Sequence, residues 1–389
     1  MADAVSIYFA HEEELARWDE LVREQVDGGD VWRGFDYAEQ KRAGHYTPRY
    51  VVVNGRNVEE DGRDWSLHLT VHEKSVPGLG KIWYLPKGPA ATSLPDVVWI
   101  TNVLADFAKA NGVFLIKVEP KLTWHEAAAS LQSFVPPEPA DENDIAVQLK
   151  AARSAVREYL GECGFHAGMS ILPNASTVLL PIAGEEDALL KGLGQKARYA
   201  INRAKRDGVT IERVPATDEN CERMYELLRQ TADGSFGIRP KSYYLSYWKR
   251  FSASGAGQMF FAYFEGELVA AAFAMIYGAQ STYKDGASLR KKTGYGASHA
   301  MQWEVIRWAR EQGSVLHDLC GAPPADERSD TNNQFYGIGL FKTSFIDEIT
   351  DYIRVWDYPL NAGKYRLWSK LIEKLALRFS LWFRHDPYY

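Results

Sequence analysis

FAKANGVFL (107–115) and WAREQGSVL (308–316) carry the same pattern 201 positions apart. Each is the end of an amphipathic helix, then a single glycine, then the start of an apolar strand. Val98, Ile100, Val103, Leu104 and Phe107 fall on one broad face of a helix predicted over 95–111. Met301, Val305 and Trp308 share a side of a second helix predicted over about 297–312. Gly112 and Gly313 stand where a helix commonly stops by turning left-handed. The strands that follow are VFLIKV (113–118) and VLHDL (315–319).

What precedes each helix also repeats. RYVVV (49–53), WSLHLTVH (65–72) and KIWYL (81–85) are β-rich runs divided by Gly, Asn, Asp and Pro. QMFFAYF (258–264), LVAAAFAMIY (268–277) and STYK (281–284) form a second meander. The pattern predicts one αβ unit written twice. Residues 134–147, rich in Pro and acids, and the polar run 322–334 read as exposed loops, serving either as binding loops or as insertions.

A chain of 389 residues with 46% hydrophobic and 25% charged residues is neither disordered nor fibrous, and its length suits two to three domains. Cys163, Cys221 and Cys320 form no CxxC pair, so reduced thiols are expected. The N-terminus lacks the basic and apolar regions of a signal peptide. The longest apolar run, Leu268–Tyr277, is about half a membrane span. A soluble, cytoplasmic protein is therefore expected. GxxxxGK(S/T), HExxH and GxSxG are all missing, and the nine histidines show no metal-ligand spacing, so no metal is expected. KKTGYGA (291–297), opening the second helix, is either a plain helix-entry turn or a loop of the type that holds the coenzyme A pyrophosphate on helix amides.

The net charge of −6 is unevenly spread. Residues 191–213 carry +5, residues 364–385 carry another +5, and the remainder therefore stands at −16. Segregated positive charge of this kind guides anions to particular surfaces. In the first stretch Leu190, Leu193, Ala197, Ile201 and Ala204 form a buried stripe and leave Arg198, Arg203, Lys205 and Arg206 to solvent. In the second, Trp368, Leu371, Ile372, Leu375, Phe379, Trp382 and Phe383 interleave with basic residues in helical register. Such a helix docks on its own core or lies on an anionic membrane, and core docking is the expected use.

Several motifs together resemble the FemABX family of aminoacyltransferases that build peptidoglycan side branches. They are AMQWEVIRWAREQG (300–313), the strand with Asp318 and Gly321, FYGIGLFKTSF (335–345), QKARYAINRAKRDGV (195–209), LPKGP (85–89), KVEP (117–120), and the approach to Arg239-Pro240 and Tyr243-Tyr244. The resemblance spans about residues 30–360 and implies an α+β fold of two tandem acetyltransferase-like (GNAT) domains related by internal duplication. With no heptad run, the chain resembles the compact type without a coiled-coil arm. The implied division is residues 1–165, completed by 360–389, and residues 166–359.

The resemblance also implies the chemistry. An amino acid would pass from aminoacyl-tRNA, the donor substrate, to the side-chain amine of the stem peptide on UDP-MurNAc-pentapeptide or lipid II. No cofactor is implied. Lys342 matches the family lysine that stabilises the oxyanion, and Phe341 beside it would shape the pocket. Arg198 matches a residue that binds the precursor's pyrophosphate, with Lys41 as a first-domain partner. Glu119 falls where an acidic residue stands near the acceptor, and Tyr283 where a site tyrosine is found. Residues 364–385 would supply any peripheral membrane contact, at the inner face of the membrane, and the oligomeric state stays open. The two readings from other classes are an acyl-coenzyme A-dependent N-acyltransferase using 291–297, and a non-catalytic protein that binds wall precursor or tRNA.

Overall fold

The computed structural model describes residues 5–56, 64–136, 145–233, 237–289, 294–384 and 388–389. Residues 137–144 of the first expected loop and Lys291–Thr293 of the helix-entry loop lie outside them. The chain divides into two compact units: one runs to Ala175 and resumes at Asp351, the other is Ser176–Thr350.

In the first unit β1 (Ser6–Phe9), β2 (Thr47–Arg56), β3 (Asp64–Val76) and β4 (Gly80–Leu85) pair antiparallel in chain order. Helix α1 (Leu94–Ala110) then crosses to β5 (Val113–Val118), which lies parallel to β4. The Ser93 side chain caps α1 by accepting the Asp96 amide, and Gly112, at φ +80°, closes it. Val97, Ile100, Leu104 and Ala108 of α1 share a core with Ile116 and Val118 of β5. The helix is thus the bridge that a parallel strand pair requires.

The second unit repeats the scheme. Its ranges are β6 (Leu179–Pro181), α2 (Gln195–Arg206), β7 (Thr210–Val214), α3 (Lys241–Ala253), β8 (Gly257–Phe264), β9 (Glu267–Tyr277), β10 (Gln280–Ser288), α4 (Ala297–Glu311), β11 (Leu316–Asp318) and α5 (Tyr336–Lys342). The sheet runs β6-β11-β10-β9-β8-β7, and α4 delivers β11 parallel to β10 as α1 delivers β5 to β4. The alanines of β9 leave room for Met301, Val305 and Ile306 of α4 to pack on Ala270, Ala272 and Ala274.

The two copies differ in how far the parallel pair stays joined. β4 and β5 stay paired from Lys81–Val113 to Leu85–Val118, and the Glu119 amide continues the contact to the Leu85 carbonyl at 3.2 Å. β10 and β11 pair only from Gln280–Leu316 to Thr282–Asp318. Just beyond, β10 carries a bulge against β9 that puts Lys284 out of register, between Tyr283 opposite Ala274 and Asp285 opposite Phe273.

After Thr350 the chain returns to the first unit. There β12 (Trp356–Pro359) pairs antiparallel with β5, so the return begins at Asp351, before the expected residue 360. A four-residue strand is too short to show the alternation that would have revealed it. Lys117 of β5 and Asp357 of β12 form a buried ion pair at 2.8 Å. A helical run then extends from Ala362 to Arg384, with π-turns at Trp368–Ile372 and Ser380–Arg384. Among the described residues no helix is long and apolar enough to cross a membrane.

Candidate functional site

In the second unit the early end of the β10–β11 pairing is where Lys342 enters. It is the last residue of α5, is only 3% exposed, and its Nζ donates to the Gly321 carbonyl at 2.7 Å. The same Nζ stands 6.0 Å from the centre of the Tyr283 ring. Burial pushes the Lys342 amine down to about 8, against the pull of Cys320 and Asp318, which favour its charge. Asp318 accepts from Thr177 Oγ1 and from the Cys320 amide, the latter at 2.7 Å. Cys320 is buried and holds a left-handed backbone at φ +54°. Such a conformation strains a residue with a Cβ, and this strain sits on the turn that carries the Lys342 partner carbonyl.

Around this lysine the wall is polar. Burial and Asp285 both push the half-buried Tyr283 phenol upward, so it stays neutral. A Cβ on Gly286 would lie 1.7 Å from its hydroxyl, so a larger residue there would displace the Tyr283 ring. Lys284 is opposed by burial, but Asp285 beside it at 3.0 Å holds its charge above the ordinary range. Trp248 of α3 fixes the other carboxylate oxygen of Asp285 at 2.9 Å. His317 Nδ1 meets Ser281 Oγ at 2.7 Å and its Nε2 meets the Gln302 amide at 2.6 Å. All three residues are fully buried, so this Ser–His contact ties β10, β11 and α4 together and faces no substrate.

The first unit holds a separate cluster. Lys41, 4% exposed, has its Nζ 5.0 Å from the Tyr46 ring and 5.7 Å from the Tyr37 ring. His72 packs between Tyr37, Tyr46 and Tyr84, and neither of its ring nitrogens has a hydrogen-bond partner among the described residues. Burial and the Lys41 charge hold it well below the usual imidazole range. Tyr84 donates to Glu119 Oε2. Glu119 is fully buried, and burial pushes its carboxyl up to about 6, against the pull of Lys87 and the Tyr84 hydrogen bond. The Lys87 amine donates to the Asn174 carbonyl at 3.1 Å and stands 3.8 Å from the Tyr352 ring.

The residues singled out in the sequence thus fall into groups. Lys342 and Tyr283 meet in the second unit, and Lys41 and Glu119 share an aromatic cage in the first. Phe341 turns from Lys342 and sets its ring against His299 at 4.8 Å and Phe345 at 5.4 Å. Arg198 is half-buried on α2 and donates to the Lys191 carbonyl. Asp285, Cys320, His72, Tyr84 and Lys87 carried no local signal. The one cue available was the position of Lys87 inside LPKGP. No group of three His, Cys, Asp or Glu among the described residues could hold a metal.

The described end of the helix-entry loop, from Gly294 on, serves helix packing. Gly294 and Gly296 have φ +76° and +80°, and a Cβ on Gly296 would lie 2.3 Å from the Ala200 carbonyl oxygen of α2. The close approach of two helices accounts for this glycine.

Comparisons with known proteins converge on one group. Residues 193–327 match the model of the acetyltransferase (GNAT) domain. A lipid II:glycine glycyltransferase of Staphylococcus epidermidis is 32% identical over 112 residues, 29% of this chain and 26% of that protein. The match therefore spans about a quarter of that relative's length. The Staphylococcus aureus protein of the same name is 21% identical over 420 aligned positions, 90% of this chain and 92% of its own. The crystal structure of FemX superposes with a TM-score of 0.69 at 19% identity, covering 93% of this chain and 99% of FemX.

Proposed function

The chain belongs to the FemABX family, and on that premise we propose that it is an aminoacyl-tRNA-dependent transferase of peptidoglycan branch synthesis. Its acceptor would be the side-chain amine of the stem peptide on a UDP- or lipid-linked precursor. The observation that carries this reading is the buried ammonium of Lys342 where the β10–β11 pairing ends.

The chemistry needs little else. An ester already lies above an amide in free energy, which suits a chain without a P-loop. The amine nitrogen attacks the ester carbonyl, the carbonyl oxygen takes negative charge, and the carbon–oxygen bond to the tRNA ribose then breaks. A cation kept out of water is worth far more to that oxyanion than one in solvent. With its amine near 8, Lys342 is still mostly protonated at neutral pH. The proton shed by the attacking amine leaves with the ribose hydroxyl. Tyr283, neutral and 6.0 Å from Lys342, lines the same wall. Glu119, whose carboxyl is ionised above about 6, keeps the acceptor-side role that the resemblance gives it. Arg198 and Lys41 keep the phosphate-binding roles that the resemblance gives them, and Phe341 acts by holding α5 in place.

The test is incubation with charged tRNA and a UDP-linked or a lipid-linked muropeptide, read by mass. A new amide is expected. A folded sample that yields no amide with any amino acid on either precursor would overturn the assignment. A coenzyme A-dependent reading is disfavoured because helix packing already explains Gly296.

A further inference from the structure

The helical run from Ala362 to Arg384 has three faces. On the first, Trp368, Ile372, Ala376 and Leu377 pack on Ile82, Phe114 and Leu115 of the first-unit core, and Glu373 meets Lys117 at 3.2 Å. This face meets the expectation of core docking. It leaves two ridges that the fold does not use. Leu367, Leu371, Leu375, Phe379 and Phe383, four residues apart, are 46%, 52%, 53%, 54% and 62% exposed. Alongside runs a row of exposed cations, Arg366, Lys370, Lys374 and Arg378, ending at Trp382, which is 77% exposed.

A side-by-side pair of apolar and cationic ridges, about 24 Å long at the helical rise, narrows the choice of partner. Leucines and phenylalanines in this number on one exposed face call for an apolar cover. The single acid of the run, Glu373, is turned inward, so every charge on the outer faces is positive. A second copy of this helix laid against the first would set cation rows near each other. A surface with both acyl chains and phosphates satisfies both ridges, and Trp382 with Phe383 suits its boundary.

We propose that the helix 362–384 seats the protein on an anionic lipid bilayer, with the Leu367–Phe383 ridge among the acyl chains and the cation row at the phosphates. Resting on the proposed reaction, this makes a lipid-linked precursor the acceptor met in the cell.

The test uses the full chain and vesicles that contain no precursor. Flotation compares phosphatidylcholine alone with phosphatidylcholine containing about one-third phosphatidylglycerol, at low and high salt. The expected result is binding to the anionic vesicles that weakens as salt rises. Leu371→Glu with Leu375→Glu, and separately Lys370→Glu with Lys374→Glu, should each weaken binding about tenfold or more. All four positions are exposed, so unchanged melting curves are expected. Wild-type protein that stays unbound, or variants that bind like wild type, would overturn the proposal. So would a dimer in sedimentation velocity that the leucine variant dissociates, with no vesicle binding, since the ridge then belongs to a second copy. Transfer to the soluble UDP-linked muropeptide should be unchanged in both variants. Transfer without vesicle binding overturns the membrane seat alone, and vesicle binding without transfer overturns the reaction alone.

Discussion

Among the described residues the ammonium of Lys342 is kept from water without a carboxylate in hydrogen-bond contact, its hydrogen bond being to the Gly321 carbonyl. An unfolded lysine holds its proton up to about 10.5, and this one releases it near 8. Between those values the unfolded state binds more protons, so this group lowers stability as pH falls, and the full cost stands below 8. Methionine at this position removes that cost but leaves the Gly321 carbonyl unpaired, so Lys342→Met should melt within about 2 kcal/mol of wild type. Its turnover should drop at least about tenfold, as for the loss of an oxyanion donor. Steady-state kinetics should also show an alkaline limb near pH 8 in wild type that the variant lacks. Near-normal turnover would take Lys342 out of the mechanism. Glu119 runs the other way. Its folded value near 6 exceeds the ordinary 4.5, so the stability it lends is complete below 4.5 and lost as pH rises through 6. Glu119→Gln should therefore match wild type in urea midpoint at acid pH and exceed it by up to about 2 kcal/mol near pH 7.5. A variant less stable than wild type at pH 7.5 would contradict this.

At the level of elements, two glycines that look alike in sequence have different work. Gly313 has φ +88° and nothing within 4 Å of the place a Cβ would take, so it serves only to end α4. Gly296 has φ +80° and also a carbonyl 2.3 Å from its Cβ position. Gly313→Ala should cost about 1 kcal/mol and Gly296→Ala about 2–4 kcal/mol, read by calorimetric melting. Equal losses would show that α2 does not press on α4. Coenzyme A titrated into wild type should give no micromolar binding, and binding would revive the acyltransferase reading. Helix ends and strand runs were legible because glycine and apolar spacing report burial and chain direction. The place where β10–β11 pairing stops was not, since STYK and KIWYL differ in nothing that specifies how far a neighbour stays paired. Nor could spacing separate the docked from the exposed apolar residues of 364–385. Trp368 and Leu371 look equally apolar, yet one is fully buried and the other 52% exposed.

For the molecule as a whole, the duplication and the uneven charge could be read from the residues, whereas the return of the chain to the first unit was implied only by the family resemblance and begins at Asp351, ahead of the implied residue 360. A chain ending at Thr350 keeps the whole of Ser176–Thr350 but lacks β12 and the helix that buries Trp368 against Phe114. Limited proteolysis of that truncation should spare Ser176–Thr350 and cut within the first 175 residues, where a sheet strand and part of a core are missing. Equal resistance of both parts would show that the returning segment is dispensable. Synthesis on the ribosome runs from the first residue to the last, so this topology reverses the order of completion. The second unit, begun later, is finished first, while the opening unit must wait for β12 to emerge. Anything that stops translation between Thr350 and Trp356 releases a chain whose newer half is whole and whose older half is not.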